Sequence, residues 1–236
     1  PEAVINCAAK TGKPNFDWCE DHKEETLDAN LRGPLNLLHV CQEMSQYWVQ
    51  IGSGCIYQGD HGGKGWSETD PANFDGSYYS KVKGWLNDIL ADFDVLQLRL
   101  RMPLDAEPGP RNFITKIATY PKVISVPNSI TVIDDLIFAA KTLMERRATG
   151  IYNVANPGVI EHKEILAMYK EIVDPNHTYI PISLDELSGM TKAGRSNCML
   201  SSKKMEEAGI ALPEIHGRVR ELLLAYRDHL KQGKTV

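Results

Sequence analysis

Along the first hundred residues, short apolar runs typical of strands alternate with stretches in which apolar residues recur at helical spacing. Short apolar runs rich in β-branched residues at 3–9, 48–51 and 95–100 predict buried strands. The stretches 24–41 and 79–90 carry apolar residues at helical spacing. Gly33 and Pro34 interrupt the first of these, so we expect a kink or a close helix contact there. Strands that alternate with helices predict a parallel sheet with crossover helices, and therefore the α/β class.

The pattern changes beyond Leu104. A Pro-rich loop is followed by predicted helices at 111–120, 134–146, 162–173 and 215–230, with an extended segment at 123–131 and a short strand at 150–154. We therefore expect a smaller C-terminal domain beside the sheet. The chain contains no internal repeat and no low-complexity segment.

Composition narrows the functional class. The chain has 236 residues, a formal net charge of −5 and a pI near 5.8, which argues against nucleic-acid binding and against docking on an anionic membrane. No apolar run approaches the roughly 20 residues of a membrane helix, and the first residues do not resemble a secretory signal. The five cysteines form no C-x-x-C pair, so we expect no metal site, reduced thiols and a cytoplasmic location.

Candidate chemical groups follow the predicted strands. Residues 8–12 come after the first strand, 53–55 after the second and 101–103 after the third. In open parallel sheets the ligand crevice lies beyond the carboxyl ends of the strands. The positions of these three segments therefore predict a ligand site at that edge.

The sharpest local pattern is Y-x-x-x-K, formed by Tyr79 and Lys83 at the start of a predicted helix. Positions i and i+4 share a helix face, so the ammonium is expected to lower the phenol pKa from its usual value of about 10. Tyr79 would then serve as a general acid for a carbonyl that receives a hydride. Ser53 adds a hydroxyl after a strand. Taken singly, Ser53 suits a turn and the Y-x-x-x-K suits a solvated helix start.

These residues resemble the extended short-chain dehydrogenase/reductases, and one branch in particular, the bifunctional UDP-4-keto-6-deoxyglucose 3,5-epimerase/4-reductases. The resemblance runs from residue 3 to about residue 200. It rests on INCAAKTGKPNFDWCEDHKEET, DANLRGPLNLLHVC, GSGCIYQGD, GSYYSKVKGWLNDIL, LRLRMPLD, PRNFITKIA, VPNSITVIDDL, TGIYNVANPGVIEHKEILAMY and GRSN.

The resemblance implies two catalytic groups of residues. Ser53, Tyr79 and Lys83 would form the reductase triad, and Cys55 with Lys116 would form the pair that inverts C3 and C5 of the sugar. The C4 ketone acidifies the protons on C3 and C5, and inversion needs a proton to leave one face and another to arrive on the opposite face. Without the resemblance, Cys55 would be read as a buried small residue and Lys116 as an exposed helix lysine.

The resemblance also implies binding residues. NADPH, or NADH, would be the cofactor, the substrate would be a UDP- or dTDP-linked sugar, and a homodimer is expected. Asn30 would brace the sheet. The implied cofactor-binding residues are Asn6, Ala8, Ala9, Thr11, Tyr79, Lys83, Arg101 and Pro103. The implied substrate-binding residues are Asn112, Phe113, Arg195 and Asn197, although the last two equally suit a polar loop.

The implied fold is a partial Rossmann-like doubly wound parallel sheet with a smaller C-terminal substrate-binding domain. Residues 1–104, with 135–155 returning, would form the C-terminal part of the NAD(P)-binding domain, and 105–134 with 156–236 the sugar-nucleotide-binding domain. The first 30 residues lack the Gly-rich phosphate loop with which the family begins, so we expect about sixty preceding residues or a remnant. The alternatives are a 4-keto reductase without epimerase activity and a non-catalytic regulatory subunit on the same fold.

Overall fold

A four-stranded parallel sheet with the order β1-β2-β3-β7 lies at the centre of this computed structural model, which describes residues 2–233. Two shorter parallel pairs, β4-β6 and β5-β8, lie outside it. The strands are β1 (Ala3–Asn6), β2 (Tyr47–Ser53), β3 (Leu96–Leu100), β4 (Pro103–Leu104), β5 (Lys122–Ile124), β6 (Thr131–Val132), β7 (Gly150–Val154) and β8 (Ile180–Ile182). The sheet confirms the predicted α/β class. The outermost positions of the predicted domains, Pro1 and 234–236, lie outside the described residues.

Helices connect these strands. They are α1 (Asp17–Asp21), α2 (Lys23–Leu27), α3 (Gly33–Glu43), α4 (Tyr78–Ala91), α5 (Phe113–Thr119), α6 (Ile133–Glu145), α7 (His162–Ile172), α8 (Leu184–Ser188), α9 (Lys203–Glu207) and α10 (Ile215–Lys231). The apolar spacing predicted the five longest of them to within a few residues, except that the first predicted stretch is divided. Strand registers place Ser53 of β2 beside Leu100 of β3, and Leu100 beside Val154 of β7. The carboxyl ends of β2, β3 and β7 therefore lie side by side.

The divided stretch contains a π-helical turn, Asp28–Arg32, between α2 and α3. Gly33 and Pro34 then begin α3, where proline is tolerated because the first helical N–H groups need no internal acceptor. The predicted interruption at these two residues is thus a change of helix type just before them. Wider turns of this kind recur at functional sites.

Asn30 lies in this π-helical turn and is completely buried. Its Nδ2 donates to the carbonyl oxygens of Lys10 and Thr26, at 2.9 Å each, and its Oδ1 accepts from the Lys10 N–H at 3.3 Å. The side chain therefore ties the loop after β1 to the helical layer, rather than bracing the sheet directly.

Replacing Asn30 with alanine is expected to lower the free energy of unfolding by about 1–3 kcal/mol, because the Lys10 backbone groups lose buried partners. Chemical denaturation of the variant measures this change. Asn176→Ala, at an exposed position, is the matched control and is expected to unfold like the parent protein. Equal stabilities for the Asn30 and Asn176 variants would contradict the bracing role.

Four apolar clusters lie among the described residues, and the smallest joins Ile56 and Tyr57 to Cys198 and Leu200. One lies on the sheet and joins Leu96, Leu98 and Val154 to α6 and α9. A second lies between α3, α4 and the sheet, and a third joins α5, α7 and α10 around Ile114 and Ile165. Met205, Ile210 and Leu212 belong to the sheet cluster, although they fall within the range expected for the second domain.

Two kinds of feature are absent from residues 2–233. No helix in that range is long and apolar enough to cross a membrane. The same range contains no group of three or more histidine, cysteine or acidic side chains that could hold a metal ion.

Candidate active site

Polar side chains from three neighbouring segments converge at the carboxyl edge of the sheet. Ser53 ends β2 and Cys55 lies in the 3₁₀ turn that follows it, Gly54–Ile56. Tyr79 and Lys83 lie in the first turns of α4, and Arg101 follows β3. The structure therefore brings together the predicted reductase triad and one member of the predicted epimerisation pair.

Local structure aims the α4 side chains inward. Ser77 caps the helix by accepting the Ser80 N–H at 3.1 Å, which fixes where its first turn begins. One turn then separates Tyr79 from Lys83, and both side chains face the protein interior, with 5% and 4% of their surfaces exposed. The solvated helix start, which was the alternative interpretation of this pattern, is therefore wrong.

The Tyr79 side chain is shielded from solvent. The Phe16 ring stacks on it with 4.8 Å between ring centroids, a contact that the sequence pattern did not indicate. Burial raises the pKa of Tyr79 above its usual value, the charge that Cys55 can carry adds to the rise, and the hydrogen bond with Ser53 opposes it. The lowering expected from Lys83 does not occur, because loss of water around the phenolate outweighs it. The phenol keeps its proton, as a general acid must.

Lys83 is a buried cation. Burial lowers the pKa of its ammonium group to about 8, and the nearby charge of Cys55 opposes this. The group remains mostly protonated at pH 7. Its Nζ makes no hydrogen bond to any other described residue, so it has three donors to offer a ligand. The ribose hydroxyls of a nicotinamide nucleotide would supply acceptors of the right kind, so Lys83 and Tyr79 fit the expected cofactor.

Cys55 is held from two sides. Its backbone N–H donates to Ser53 Oγ at 3.1 Å. Arg101 Nη1 approaches Cys55 Sγ to 3.0 Å. The family resemblance implied that Arg101 borders the nicotinamide. In the structure its guanidinium contacts this thiol. The Cys55 residue is only partly buried.

The facing wall comes from α5 and α7. Phe113 contacts His162 edge to face, with 5.2 Å between ring centroids, and the Arg101 charge acts on His162. Lys116 lies one turn after Phe113 on α5 and therefore shares its helix face. Among the described residues its ammonium forms no ion pair, and no contact joins it to Cys55. Lys116 is half-buried, and its place in the predicted pair stays a prediction.

Three predicted substrate-binding side chains already have internal partners. Asn112 caps α5 by accepting the Thr115 N–H at 2.9 Å. Arg195 bonds Asp17 at 3.1 Å. Asn197 is 2% exposed and accepts from Asn128 at 2.9 Å. Their roles in substrate binding stay predictions. Arg195 still has donors to offer a ligand, because a guanidinium carries more N–H groups than one carboxylate contact uses.

The residues expected to face the cofactor surround the ends of β1 and β3. Asn6 is buried and donates to Gln50 Oε1 at 2.9 Å, while its own oxygen accepts the Ala8 N–H at 3.0 Å. Ala8, Ala9, Thr11 and Pro103 are exposed. Their backbone and side-chain groups are therefore accessible to a ligand at this edge, and their assignment to the cofactor stays a prediction.

Sequence reasoning missed Phe16, Asn128 and His162 as neighbours of the site. Asn128 is completely buried and accepts from Arg101 Nη2 at 2.7 Å. The run Pro127–Ser129 was noted only as an extended segment, and no local pattern marks a buried asparagine that faces an arginine 27 positions earlier.

His162 gives the site a pH-dependent stability. Burial lowers the pKa of its imidazole to about 4, and the Arg101 charge adds to this. Between about pH 6.5 and pH 4 the unfolded chain binds a proton that the folded chain does not, so the free energy of unfolding falls as the pH falls. At pH 5 the loss from this residue is about 2 kcal/mol.

The His162→Gln variant is expected to lack this component. Urea unfolding at about pH 7.5 and about pH 5 measures the difference for each protein. His39→Gln removes an exposed histidine and should retain the parental pH dependence. If His162→Gln loses as much stability on acidification as the parent protein, His162 is not the responsible group.

Several known proteins are similar to this chain in sequence. Residues 1–100 match the family model of the RmlD substrate binding domain. A bifunctional dTDP-4-dehydrorhamnose 3,5-epimerase/dTDP-4-dehydrorhamnose reductase of Arabidopsis thaliana is 43% identical over 213 residues, which are 87% of this chain and 71% of that protein. A trifunctional UDP-glucose 4,6-dehydratase/UDP-4-keto-6-deoxy-D-glucose 3,5-epimerase/UDP-4-keto-L-rhamnose-reductase of the same plant is 40% identical over 96% of this chain, but the chain spans only 34% of its length.

Solved structures agree. The crystal structure of the L780 UDP-rhamnose synthase from Acanthamoeba polyphaga mimivirus superposes with a TM-score of 0.91 at 36% identity, over 95% of this chain and 82% of that one. A dTDP-4-dehydrorhamnose reductase from Bacillus anthracis, solved in complex with NADP, shares the fold with a TM-score of 0.77 at 19% identity, over 96% of this chain and 80% of that one.

A parallel sheet with a tyrosine, a lysine and a hydroxyl at its carboxyl edge defines a protein of the short-chain dehydrogenase/reductase class. At 43% identity over most of both chains, the relationship is closer than class alone. The chain belongs to the family of dTDP-4-dehydrorhamnose reductases and bifunctional 3,5-epimerase/4-reductases, which confirms the resemblance found in its sequence motifs.

Proposed function

We propose that this chain carries out NADPH-dependent 3,5-epimerisation and 4-reduction of a nucleotide-linked 4-keto-6-deoxyglucose, giving the nucleotide-linked L-rhamnose. The observation that carries the proposal is the convergence of Ser53, Cys55, Tyr79 and Lys83 at the carboxyl edge of the sheet, in a member of this family. The same residues scattered over the fold would support no chemistry.

Epimerisation is assigned to Cys55 and Lys116. The Cys55 sulfur removes the proton from C3, and then from C5, while the electron pair of the broken carbon–hydrogen bond moves into the enolate formed with the C4 oxygen. Lys116 returns a proton to the opposite face of the same carbon, and the electron pair returns from the enolate to that carbon. Before the step at C5, Cys55 releases its proton to water and Lys116 takes one from water, so that both groups are restored. The placement of Lys116 on the α5 face that also carries Phe113 supports this assignment.

Reduction is assigned to the other groups. A reduced nicotinamide, when bound, supplies the hydride for C4. Tyr79 donates its phenolic proton to the C4 oxygen, and Ser53 donates a hydrogen bond to the same atom. Lys83 orients the ribose hydroxyls and stabilises the negative charge left on Tyr79. Burial of Tyr79 supports its role as acid, because it holds the proton until a carbonyl oxygen accepts it.

The two large apolar clusters suggest two binding regions, one for the cofactor and one for the sugar nucleotide. We assign the sheet cluster to cofactor binding, with residues 1–104 and 135–155, and the cluster of α5, α7 and α10 to the sugar nucleotide, with residues 105–134 and 156–236. Asn6, Ala8, Ala9, Thr11, Arg101 and Pro103 belong to the cofactor side of this proposal. Asn112, Phe113, Arg195 and Asn197 belong to the sugar-nucleotide side.

Incubating the protein that contains this chain with NADPH and UDP-4-keto-6-deoxyglucose tests the function. Loss of NADPH absorbance together with formation of UDP-L-rhamnose, identified by mass and NMR, is expected. A parallel reaction with the dTDP-linked sugar tells which nucleotide is preferred. A folded protein that binds NADPH and converts neither sugar would overturn the proposal, and a folded protein that binds no NADPH would favour a regulatory role.

One observation favours a reductase without epimerase activity: no contact among the described residues places the Lys116 side chain beside Ser53, Cys55 or Tyr79. Incorporation of solvent deuterium at C3 and C5 distinguishes the two functions. The bifunctional proposal expects exchange at both carbons before reduction. Reduction of UDP-4-keto-L-rhamnose without any exchange in the uninverted sugar would establish the narrower function.

We include a cytoplasmic location and a homodimer in the proposal. All five cysteines are unpaired, as expected in a reducing compartment. Exposed apolar side chains lie on helices α3 and α4, namely Val40, Trp85 and Ile89, and Met44 follows the end of α3. Light scattering of the purified protein gives its mass in solution, and a monomer at micromolar concentration would contradict the dimer.

A further inference from the structure

Arg101 is a buried guanidinium without a carboxylate partner. It is 3% exposed, and no ion pair to it is present among residues 2–233. Buried charges in proteins are normally paired, because removing a charge from water is costly. Its backbone N–H is bound to Thr131 Oγ1 at 2.8 Å, so the segment that carries it is anchored as well.

The guanidinium is held in one orientation. Its Nη2 donates to Asn128 Oδ1 at 2.7 Å and to the carbonyl oxygen of Ser196. Asn128 is itself fixed through Nδ2, which donates to Val126 and to Asn197. These acceptors are neutral, so they orient Arg101 without balancing its charge. The Nε atom is buried and has no hydrogen-bond partner among the described residues.

The remaining contact is with a group that can ionise. Arg101 Nη1 lies 3.0 Å from Cys55 Sγ. A thiol sulfur is a weak acceptor, whereas a thiolate forms a charge-assisted hydrogen bond with a guanidinium. A second buried cation, Lys83, also acts on Cys55. Among the described residues, Cys55 is the ionisable side chain that Arg101 hydrogen-bonds, although the Arg101 charge also acts on Tyr79 and Cys198.

We propose, building on the function proposed above, that Arg101 is a positioning residue that holds Cys55 as a thiolate aimed into the cleft. The sulfur is then ready to accept a proton from C3 or C5. A carbon–hydrogen bond breaks, a sulfur–hydrogen bond forms, and the electron pair moves onto the C4 oxygen. Arg101 thereby separates the two reactions within one cleft, since Cys55 begins as a base and Tyr79 begins as an acid.

Alkylation by iodoacetamide tests the thiolate directly, because the thiolate is the reacting form. In Arg101→Met, alkylation of Cys55 at neutral pH is expected to slow by about 10- to 100-fold, as lost charge-assisted hydrogen bonding implies. Arg101→Lys keeps the charge and should slow it less. Exposed Cys7 reports the intrinsic reagent rate in the same sample, and peptide mass spectrometry separates the two sites.

Arg99→Met is the matched control. Arg99 is buried, but its contacts are with Asn87, Ser67 and Glu68 rather than with Cys55. Its replacement should leave Cys55 alkylation unchanged. Circular dichroism and cooperative unfolding confirm that each variant folds, and if Arg101→Met does not fold, Arg101→Lys against the parent protein carries the comparison.

Catalysis supplies a second readout. Deuterium exchange at C3 and C5 should fall in step with Cys55 alkylation. Parental alkylation of Cys55 in a folded Arg101→Met would overturn the proposal, and so would equal losses of exchange and reduction without a change in alkylation. The alkylation result needs no substrate, so a parent protein without turnover would reject the proposed function and leave this test decisive.

Discussion

Replacing Tyr79 with phenylalanine is expected to slow the reduction of UDP-4-keto-L-rhamnose by about 10²- to 10⁴-fold, the usual contribution of a positioned general acid. The phenol supplies the proton that the C4 oxygen needs, and phenylalanine has none to give. The stack on Phe16 is kept, because the ring remains. NADPH oxidation with the pre-inverted sugar measures the effect at saturating substrate.

Tyr78→Phe is the matched control. Tyr78 lies beside Tyr79 in α4, but its ring contacts Trp85 at the helix surface. This variant should reduce the sugar at the parental rate, and Tyr79→Phe should still exchange deuterium at C3 and C5. Undiminished reduction by a folded Tyr79→Phe protein would remove Tyr79 from the reductase mechanism.

Replacing Cys55 with alanine is expected to have the opposite effect. Solvent deuterium exchange at C3 and C5 should fall by about 10²- to 10⁴-fold, because the group that removes the proton is gone. Reduction of UDP-4-keto-L-rhamnose should continue, since Ser53, Tyr79 and Lys83 do not need the sulfur to transfer a proton. Exchange is followed by NMR and reduction by NADPH oxidation.

Cys41→Ala serves as the control for the loss of a thiol. Cys41 is buried in the cluster between α3 and α4, and its removal should leave both activities unchanged. Persistent exchange in Cys55→Ala would show that another base inverts the sugar. Loss of both activities would instead indicate that Cys55 supports substrate binding.

These two variants together separate the proposed reactions. Tyr79→Phe should exchange without reducing, and Cys55→Ala should reduce without exchanging. A shared cleft with separate proton-handling groups predicts this reciprocal pattern, whereas a single acid–base group for all three positions predicts that both variants lose both activities. The result bears on how one site handles C3, C5 and C4 in turn.

Much of the site could be predicted from local sequence. A helix places residues i and i+4 on one face, so the Tyr79/Lys83 pair follows from the helix alone, and Ser53 follows from the end of a strand. Lys116 was proposed by resemblance alone; it lies on α5, and its role stays a prediction. The direction of the Tyr79 pKa was predicted wrongly, because spacing reveals a neighbouring lysine but not the loss of water around both groups.

Hydrophobic spacing by itself determined the order and type of the main elements, because the periods of helices and strands arise from residues that are close in the sequence. The parallel sheet and its reactive edge follow from that order. Only the tertiary structure determined which charged groups lie at that edge and which side chains they contact. Arg101 meets Cys55 across 46 positions and Asn128 across 27, contacts that no period encodes. Burial of the phenol, the lysine and the guanidinium likewise comes from packing of the whole fold, and it is burial that raises the pKa of Tyr79.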